Sequence, residues 1–359
     1  MPKKIIKIII ALTFSLNLVA LTSCSATAHE GAKPAAKVVQ TPIEDTQFLM
    51  GTVVQIKIYH AQKEAALKDA FARVKELANK ITVNQKGSEV DHINDEAGKE
   101  PVKVSDDVFY LIKRAKYYSN NSAGSFDLAI GPITSLWHIG FDDARKPSQA
   151  EIDRELKFVN YRNVVLNERK KTVYLKDVGM KLDLGGIAKG YITDEVVKVL
   201  KNDGVNTAIV DLGGNIFVMG HSPKGSKQPW TVGIQDPKSP RGTSLGKLPA
   251  TNKTIVTSGI YERYLKVGNK TYMHLMNPKT GYPFENNLMG VSIITNKSIN
   301  GDALSTATFD KGLTTGIKYI ESRKDTEAIF VTKERKVYIT SGLKGKFELL
   351  PDVDYTLIK

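Results

Sequence analysis

Apolar positions recur with two different periods along this 359-residue chain. Alternation over Thr52 to Tyr59 predicts a strand. Leu67, Ala70, Phe71, Val74, Leu77, Ala78 and Ile81 follow helical spacing. So do Val108, Leu111, Ile112, Ala115 and Tyr118, with Ser105 placed to cap the N-terminus. A strand pair is expected around 163–175. Lys181 to Leu184 reads as a short strand and Gly185-Gly186 as a turn. Ala188 to Lys201 reads as a helix with Ala188, Tyr191, Ile192, Val196, Val199 and Leu200 inward. Thr207 to Leu212 and Ile216 to Met219 read as strands around a second Gly-Gly turn. Several strands follow between 230 and 295, a helix begins near Asp302, and a hairpin covers about 327–340. Strands and helices mix without regular alternation, which predicts one α+β domain and not a doubly wound parallel sheet.

Upstream of Gln47 the pattern changes. Pro2 to Lys7 carries three lysines, and Ile8 to Leu21 is an apolar run of about 14 residues, short of the roughly 20 that a membrane-spanning helix needs. That is the form of a secretory signal peptide. It ends in Leu21-Thr22-Ser23-Cys24, which resembles a bacterial lipobox, where small residues precede a cysteine that is lipidated. Residues 25–45 are rich in Ala, Lys, Pro and Thr and lack periodicity. The expected organisation is a signal peptide over 1–23, a lipidated Cys24 with a flexible tether over 24–46, and a folded domain over 47–359. An uncleaved anchor, or a cleavable signal with an incidental cysteine, are the alternatives. The expected location is the outer face of the cell membrane. Cys24 is the only cysteine, so its lipidation excludes disulfides, Cys-ligated zinc and thiol catalysis.

The formal net charge of +13 includes Lys3, Lys4 and Lys7, so a processed chain carries +10. Such a surface favours anionic partners. The basic residues are scattered and no nucleic-acid module is recognisable, so no nucleic-acid partner is expected.

Four segments carry groups that could do chemistry. Asp183-Leu184-Gly185-Gly186-Ile187-Ala188-Lys189-Gly190 runs from a strand through two glycines into a helix. It matches neither a P-loop nor a dinucleotide fingerprint. It reads either as a tight strand-helix turn or as a phosphate cradle, with helix amides and Lys189 meeting an anion. Gly301 to Ala307 places Asp302 and Thr306 four residues apart, on one helix face, as hard oxygen donors for Mg²⁺. The alternative is a capping Asp and a solvent-facing Thr. His274 stands at a strand end before Asn277-Pro278-Lys279-Thr280-Gly281, as a titrating acid or base or simply as a half-exposed histidine. Ser125-Phe126-Asp127, leading to Gly131-Pro132 and Trp137, offers an aromatic and a carboxylate to a flat heterocycle, or ordinary core.

Taken in order, these segments resemble the ApbE family of FAD:protein FMN transferases. The matching elements are Met50-Gly51-Thr52, Ser88-Glu89 with Ile93-Asn94, Phe126-Asp127 with Gly131-Pro132, Asp183 to Gly190, Asp211 to Asn215, Thr257-Ser258-Gly259, His274 with Asn277-Pro278 and Thr280-Gly281, and Asp302 to Thr306. They span about 48–310. The resemblance implies a T-fold-like α+β domain. It also implies that FAD, as substrate, is touched by Met50, Ser125, Phe126, Asp127, Asp183, Lys189 and His274. Mg²⁺ is then held by the backbone oxygen of Gly186 and the side chains of Asp302 and Thr306, with Ser305 close by. The partners implied are exported proteins whose acceptor loop presents a Thr or Ser hydroxyl. That hydroxyl attacks the FMN phosphorus and AMP leaves. A threonine hydroxyl needs a base near it; His274 is the first candidate and Asp183 the second. Where the family often carries an aromatic before Ser88-Glu89, this chain has Thr82-Val83-Asn84-Gln85, so with Asn84 at that position stacking is lost or supplied by another residue. The rival functions are a Mg²⁺-dependent FAD pyrophosphatase and a non-catalytic flavin-binding lipoprotein.

Overall fold

The computed structural model describes residues 37–225 and 227–358. The signal peptide, Cys24 and the first part of the expected tether lie outside the described residues. The fold opens on a hairpin of β1 (Val38–Leu49) and β2 (Thr52–His60). Its two-residue turn, Met50-Gly51, has φ of 54° and 66°. Two successive left-handed residues are what a tight hairpin with the right strand twist requires. This corrects the expected start near Gln47: residues 38–46 form a strand, antiparallel to β2 from the pair Val38 and His60 to Leu49 and Thr52.

Helix α1 (Glu64–Ile81) buries Ala70, Phe71, Val74, Leu77 and Ile81, the stripe its spacing predicts. Next come α2 (Glu89–Asp95), capped by Ser88, β3 (Val102–Lys103), and α3 (Asp106–Asn121), capped as expected by Ser105. Then follow α4 (Gly131–Trp137), α5 (Gln149–Leu156), β4 (Val164–Asn167) and β5 (Thr172–Leu175). Residues 181–184 form no strand. Only Lys181 bridges to Ile130, and Asp183 N–H donates to Leu128 O, so the segment is held by a loop and not by a sheet.

Helix α6 (Ala188–Asn202) leads to β6 (Ala208–Leu212) and β7 (Asn215–Met219). The chain continues through β8 (Trp230–Gln235), β9 (Ser244–Ala250), β10 (Lys253–Gly259), β11 (Tyr264–Val267), β12 (Lys270–Met273) and β13 (Leu288–Thr295). Helix α7 (Ser298–Glu321) begins four residues before Asp302, which therefore lies inside the helix and not at its cap. The expected hairpin is β14 (Glu327–Thr332) and β15 (Lys336–Ile339), followed by β16 (Glu348–Leu349) and β17 (Thr356–Ile358).

Nine strands form one sheet in the order β1-β2-β6-β7-β10-β13-β14-β15-β17, and smaller sheets pair β11-β12, β16-β9-β8 and β3-β5-β4. Every residue of β13 is buried, as expected for a central strand covered on both faces. Along β14, Ala328 and Phe330 enter the cluster shared with α1, α6 and α7, while Ile329 and Val331 enter the cluster shared with β8 and β9. That period of two separates the two layers. The architecture is α+β, as the mixed pattern predicts. No helix among the described residues is long and apolar enough to cross a membrane.

Candidate active site

Helices α6 and α7 approach closely because α6 carries Gly190. A Cβ there would fall 2.3 Å from Ser298 O and 2.7 Å from Ile299 Cα. Further along α6, the Asp194 carboxylate accepts from Ser298 N at 2.8 Å and from Ile299 N at 3.0 Å, which satisfies the free amides of the first turn of α7. The next turn of α7 then delivers Asp302 against α6. Gly190 N–H donates to Asp302 Oδ2 at 2.8 Å, and Lys189 Nζ lies 4.0 Å from Asp302 Oδ1. Asp302 is buried, and burial pushes its carboxyl pKa up against the pull of Lys189 and the Gly190 amide.

Thr306 stands one turn beyond Asp302 and meets Gly186. A Cβ on Gly186 would lie 3.1 Å from Phe126 Cε2 and 3.3 Å from Thr306 Oγ1. The expected Gly186, Asp302 and Thr306 are thus brought together, with Phe126 against them. Ser305 faces elsewhere: its Oγ donates to Asp302 O at 2.8 Å and lies 2.8 Å from Ser258 Oγ on β10. It ties the helix to the sheet. Among the described residues no three His, Cys, Asp or Glu side chains gather as a metal cluster. The donors available are one carboxylate, one hydroxyl and one backbone carbonyl. That set suits Mg²⁺, which keeps several waters and ligand phosphates around few protein oxygens.

The loop before α6 is braced from within. Asp183 Oδ1 accepts from Gly185 N at 2.8 Å, and Lys189 Nζ donates to Gly185 O at 3.4 Å. The second Asp-Leu-Gly-Gly is braced one residue later, with Gly214 N donating to Asp211 Oδ1 at 2.7 Å, and there both glycines have positive φ and close the β6-β7 hairpin. The two copies share a sequence and not a conformation.

His274 follows β12. Its Nδ1 lies 3.2 Å from Arg263 O, and because a carbonyl only accepts, Nδ1 carries the proton and Nε2 is left with a lone pair in the neutral ring. Burial pulls its pKa down to about 4, and the positive charges of Lys189 and Arg263 act the same way against that one hydrogen bond. His274 is therefore neutral at pH 7.

Arg263, which stands in the motif between Thr257-Ser258-Gly259 and His274 without an expected role, reaches the Met50-Gly51 turn, with Nη2 donating to Gly51 O at 2.8 Å. Asp127, expected as a cofactor contact, also braces its own loop. Its Oδ1 accepts from Ala129 N at 2.8 Å and its Oδ2 from Tyr161 N at 3.2 Å, so both oxygens hold the loop that carries Ser125 and Phe126. Burial pushes its pKa up to about 6. Lys311, also missed, donates to Ser122 O at 3.0 Å and Ser125 Oγ at 3.2 Å. Asn84 is exposed and its amide donates to Thr82 Oγ1 at 3.3 Å. A cavity of about 440 Å³ beside β12, with Met273 and Phe284 in its wall, excludes Asp302, Thr306 and Lys189 and so is not this site.

The sequence model of the ApbE family matches residues 50–330. The chain is 38% identical over 310 residues to the FAD:protein FMN transferase of Klebsiella pneumoniae (strain 342), covering 86% of this chain and 95% of that one. It is 31% identical over 319 residues to the FAD:protein FMN transferase of Treponema pallidum (strain Nichols), covering 85% and 88%. The crystal structure of the ApbE protein of Thermotoga maritima superposes with a TM-score of 0.78 at 28% identity, covering 85% of this chain and 99% of that one.

Proposed function

The chain belongs to the ApbE family, and from that premise we propose that it is an FAD:protein FMN transferase, moving FMN from FAD to a Thr or Ser hydroxyl of an acceptor protein. The observation that carries the reading is the meeting of Asp302, Thr306 and Gly186 beside Lys189. One acidic side chain with neutral oxygens and an adjacent cation is a site for a phosphate-bound divalent ion, not for a free metal.

In this reading Asp302, Thr306 and the Gly186 carbonyl hold Mg²⁺, which when bound supplies positive charge against the pyrophosphate oxygens of FAD. Lys189 adds a fixed cation to the same anion. His274 accepts the proton of the acceptor hydroxyl at Nε2, while its Nδ1–H stays on Arg263 O. The incoming oxygen forms a bond to the FMN phosphorus, the bond from that phosphorus to the AMP oxygen breaks, and AMP departs. The pyrophosphate's own negative charge raises the proton affinity of His274 when FAD is bound, which offsets the low value of the free site. Phe126, pressed against Gly186, and Ser125 face the flavin portion, and Asp127 keeps their loop in shape.

The leader ending in Cys24 supports export and a lipid anchor, with the domain acting on exported acceptors at the outer membrane face. The test incubates the protein with FAD, Mg²⁺ and an acceptor protein and reads intact mass. A gain of one FMN on a Thr or Ser is expected. Release of AMP at the same rate without acceptor would identify a pyrophosphatase instead.

A further inference from the structure

Arg263 sits at the junction of three segments that the sequence leaves far apart. Its backbone carbonyl accepts twice from His274, from the amide at 3.2 Å and from Nδ1 at 3.2 Å. These bonds extend the β11-β12 ladder by one residue beyond Tyr264 and Met273. Its guanidinium donates to Gly51 O at 2.8 Å, in the turn that carries Met50. Between these ends the side chain runs past two glycines in the left-handed region. A Cβ at Gly51 (φ 66°) would lie 2.9 Å from Nη2, and a Cβ at Gly140 (φ 101°) 2.9 Å from Cδ. Any side chain at either position would displace it. Among the described residues no carboxylate forms an ion pair with Arg263, whereas Arg241 pairs with neighbouring Glu262 at 3.2 Å. The guanidinium is spent on a backbone carbonyl.

We propose that Arg263 is a positioning residue for FMN transfer, coupling the Met50-Gly51 turn to the imidazole of His274. Its side chain fixes where residue 263 stands, and the position of its carbonyl fixes which nitrogen of His274 carries the proton. A shift of Arg263 loosens both the turn and the tautomer at once. Lysine at this position keeps the stem beside Gly140 and one donor toward Gly51 O but not the planar fork that lies against Gly51. The proposal rests on the transferase reading for its consequence in the reaction, but the coupling itself is a property of the protein alone.

The experiment uses the full chain with Mg²⁺ and compares wild type, Arg263→Gln and Arg263→Lys. Imidazole ¹⁵N shifts of His274 are read without FAD, then kcat and KM for FAD with an acceptor protein. Wild type is expected to show the Nδ1–H tautomer. Arg263→Gln is expected to mix the tautomers, raise KM for FAD, and lower kcat by about 10-fold or more, the scale of effect that a small misplacement produces. Arg263→Lys is expected to recover part of both changes. An unchanged tautomer in Arg263→Gln overturns the proposal, whether or not KM moves, because a rise in KM alone makes Arg263 a simple contact to FAD. A wild type that transfers no FMN overturns the transferase reading instead, and the ¹⁵N spectra still decide the coupling.

Discussion

Lys189 Nζ lies 4.0 Å from Asp302 Oδ1, while the amide of the next residue, Gly190, donates to Asp302 Oδ2 at 2.8 Å. Successive residues of α6 thus grip the two oxygens of one buried carboxylate on α7. The Gly190 bond orients the group, and the more distant Lys189 leaves Oδ1 open to a cation. Replacing Asp302 by Asn keeps an acceptor for Gly190 but removes the charge. We expect Asp302→Asn to lose at least about 100-fold in Mg²⁺-dependent transfer, since metal charge stabilisation is worth several kcal/mol. The fold should survive, because neutralising a buried carboxylate relieves its desolvation. A Mg²⁺ titration of FMN transfer, with a thermal melt of each protein, checks this. Wild-type rates in the Asn variant would remove Asp302 from the metal site.

His274 makes a prediction about pH. Its folded pKa is pulled down to about 4 by burial, against about 6.5 in an unfolded chain. Between those values the unfolded state binds a proton that the folded state refuses, so stability falls as pH drops from 6.5 toward 4 and levels off below. The full shift corresponds to about 3 kcal/mol at most, and less because the residue is only half-buried. Asp127, pushed up to about 6 by burial, works in the opposite sense: its folded form takes a proton between about 6 and 3.8, which stabilises the fold on acidification. A pH series of thermal melts on wild type, His274→Gln and Asp127→Asn separates the two. On acidification from 6.5 to 4, His274→Gln should gain on wild type and Asp127→Asn should lose. The reverse pattern would show that the two environments are misassigned.

The sequence reveals elements whose side chains alternate between core and solvent, and conceals those held mainly by backbone bonds. β6, β14 and α1 are legible for that reason. β1 is not: Thr41, Glu44, Asp45, Thr46 and Phe48 are exposed, and the strand lies at a sheet edge where pairing with β2 holds it, with Ile43 and Leu49 packed half-buried against the core. The site divides the same way. Asp302 and Thr306 share a helix face and can be read from their spacing. Arg263 and Lys311 act on carbonyls and a hydroxyl more than a hundred residues away, and no local spacing encodes such bonds. Asp127 is read from its motif as a ligand group, while its bond to the Tyr161 amide, 34 residues on, has no local signal.

Gly190 predicts how tightly the metal site depends on helix contact. The atoms that a Cβ would strike are backbone atoms of Ser298 and Ile299, and Asp194 holds both of those residues by their amides. They cannot swing aside as a flexible side chain would. Gly190→Ala must therefore push α7 off α6 and draw Asp302 away from the Gly190 amide. We expect a loss of about 1–3 kcal/mol, the usual cost of overpacking, read as a lower urea midpoint with an unchanged slope. The Mg²⁺ needed for half-maximal transfer should rise in the same protein. A variant of wild-type stability would mean that the helices have room to spare.

Lys311 separates the flavin side of the site from the metal side. Helix α7 is interrupted at Gly312, with φ 69° and ψ −171°, and the two residues before the break point to different loops. Asp310 Oδ1 accepts from Asn277 Nδ2 at 3.0 Å, in the loop after His274. Lys311 bonds Ser122 O and Ser125 Oγ, and its ammonium lies 4.7 Å from the centre of the Tyr319 ring. Burial pulls its pKa down, yet two acceptors and an aromatic face keep an ammonium useful there. Lys311→Met preserves the packing of the side-chain stem and removes both bonds to the loop that carries Ser125 and Phe126. Each lost bond is worth about 1 kcal/mol, so the loop should loosen without global unfolding. KM for FAD is then expected to rise by about 5-fold or more, since 1 kcal/mol is about a factor of five in an equilibrium. The Mg²⁺ dependence should stay as in wild type, because Asp302 and Thr306 lie on the unbroken part of the helix, ahead of Gly312. Steady-state kinetics at several Mg²⁺ concentrations tests both halves. A variant with normal KM for FAD and weakened Mg²⁺ dependence would reverse the assignment of the two ends of α7.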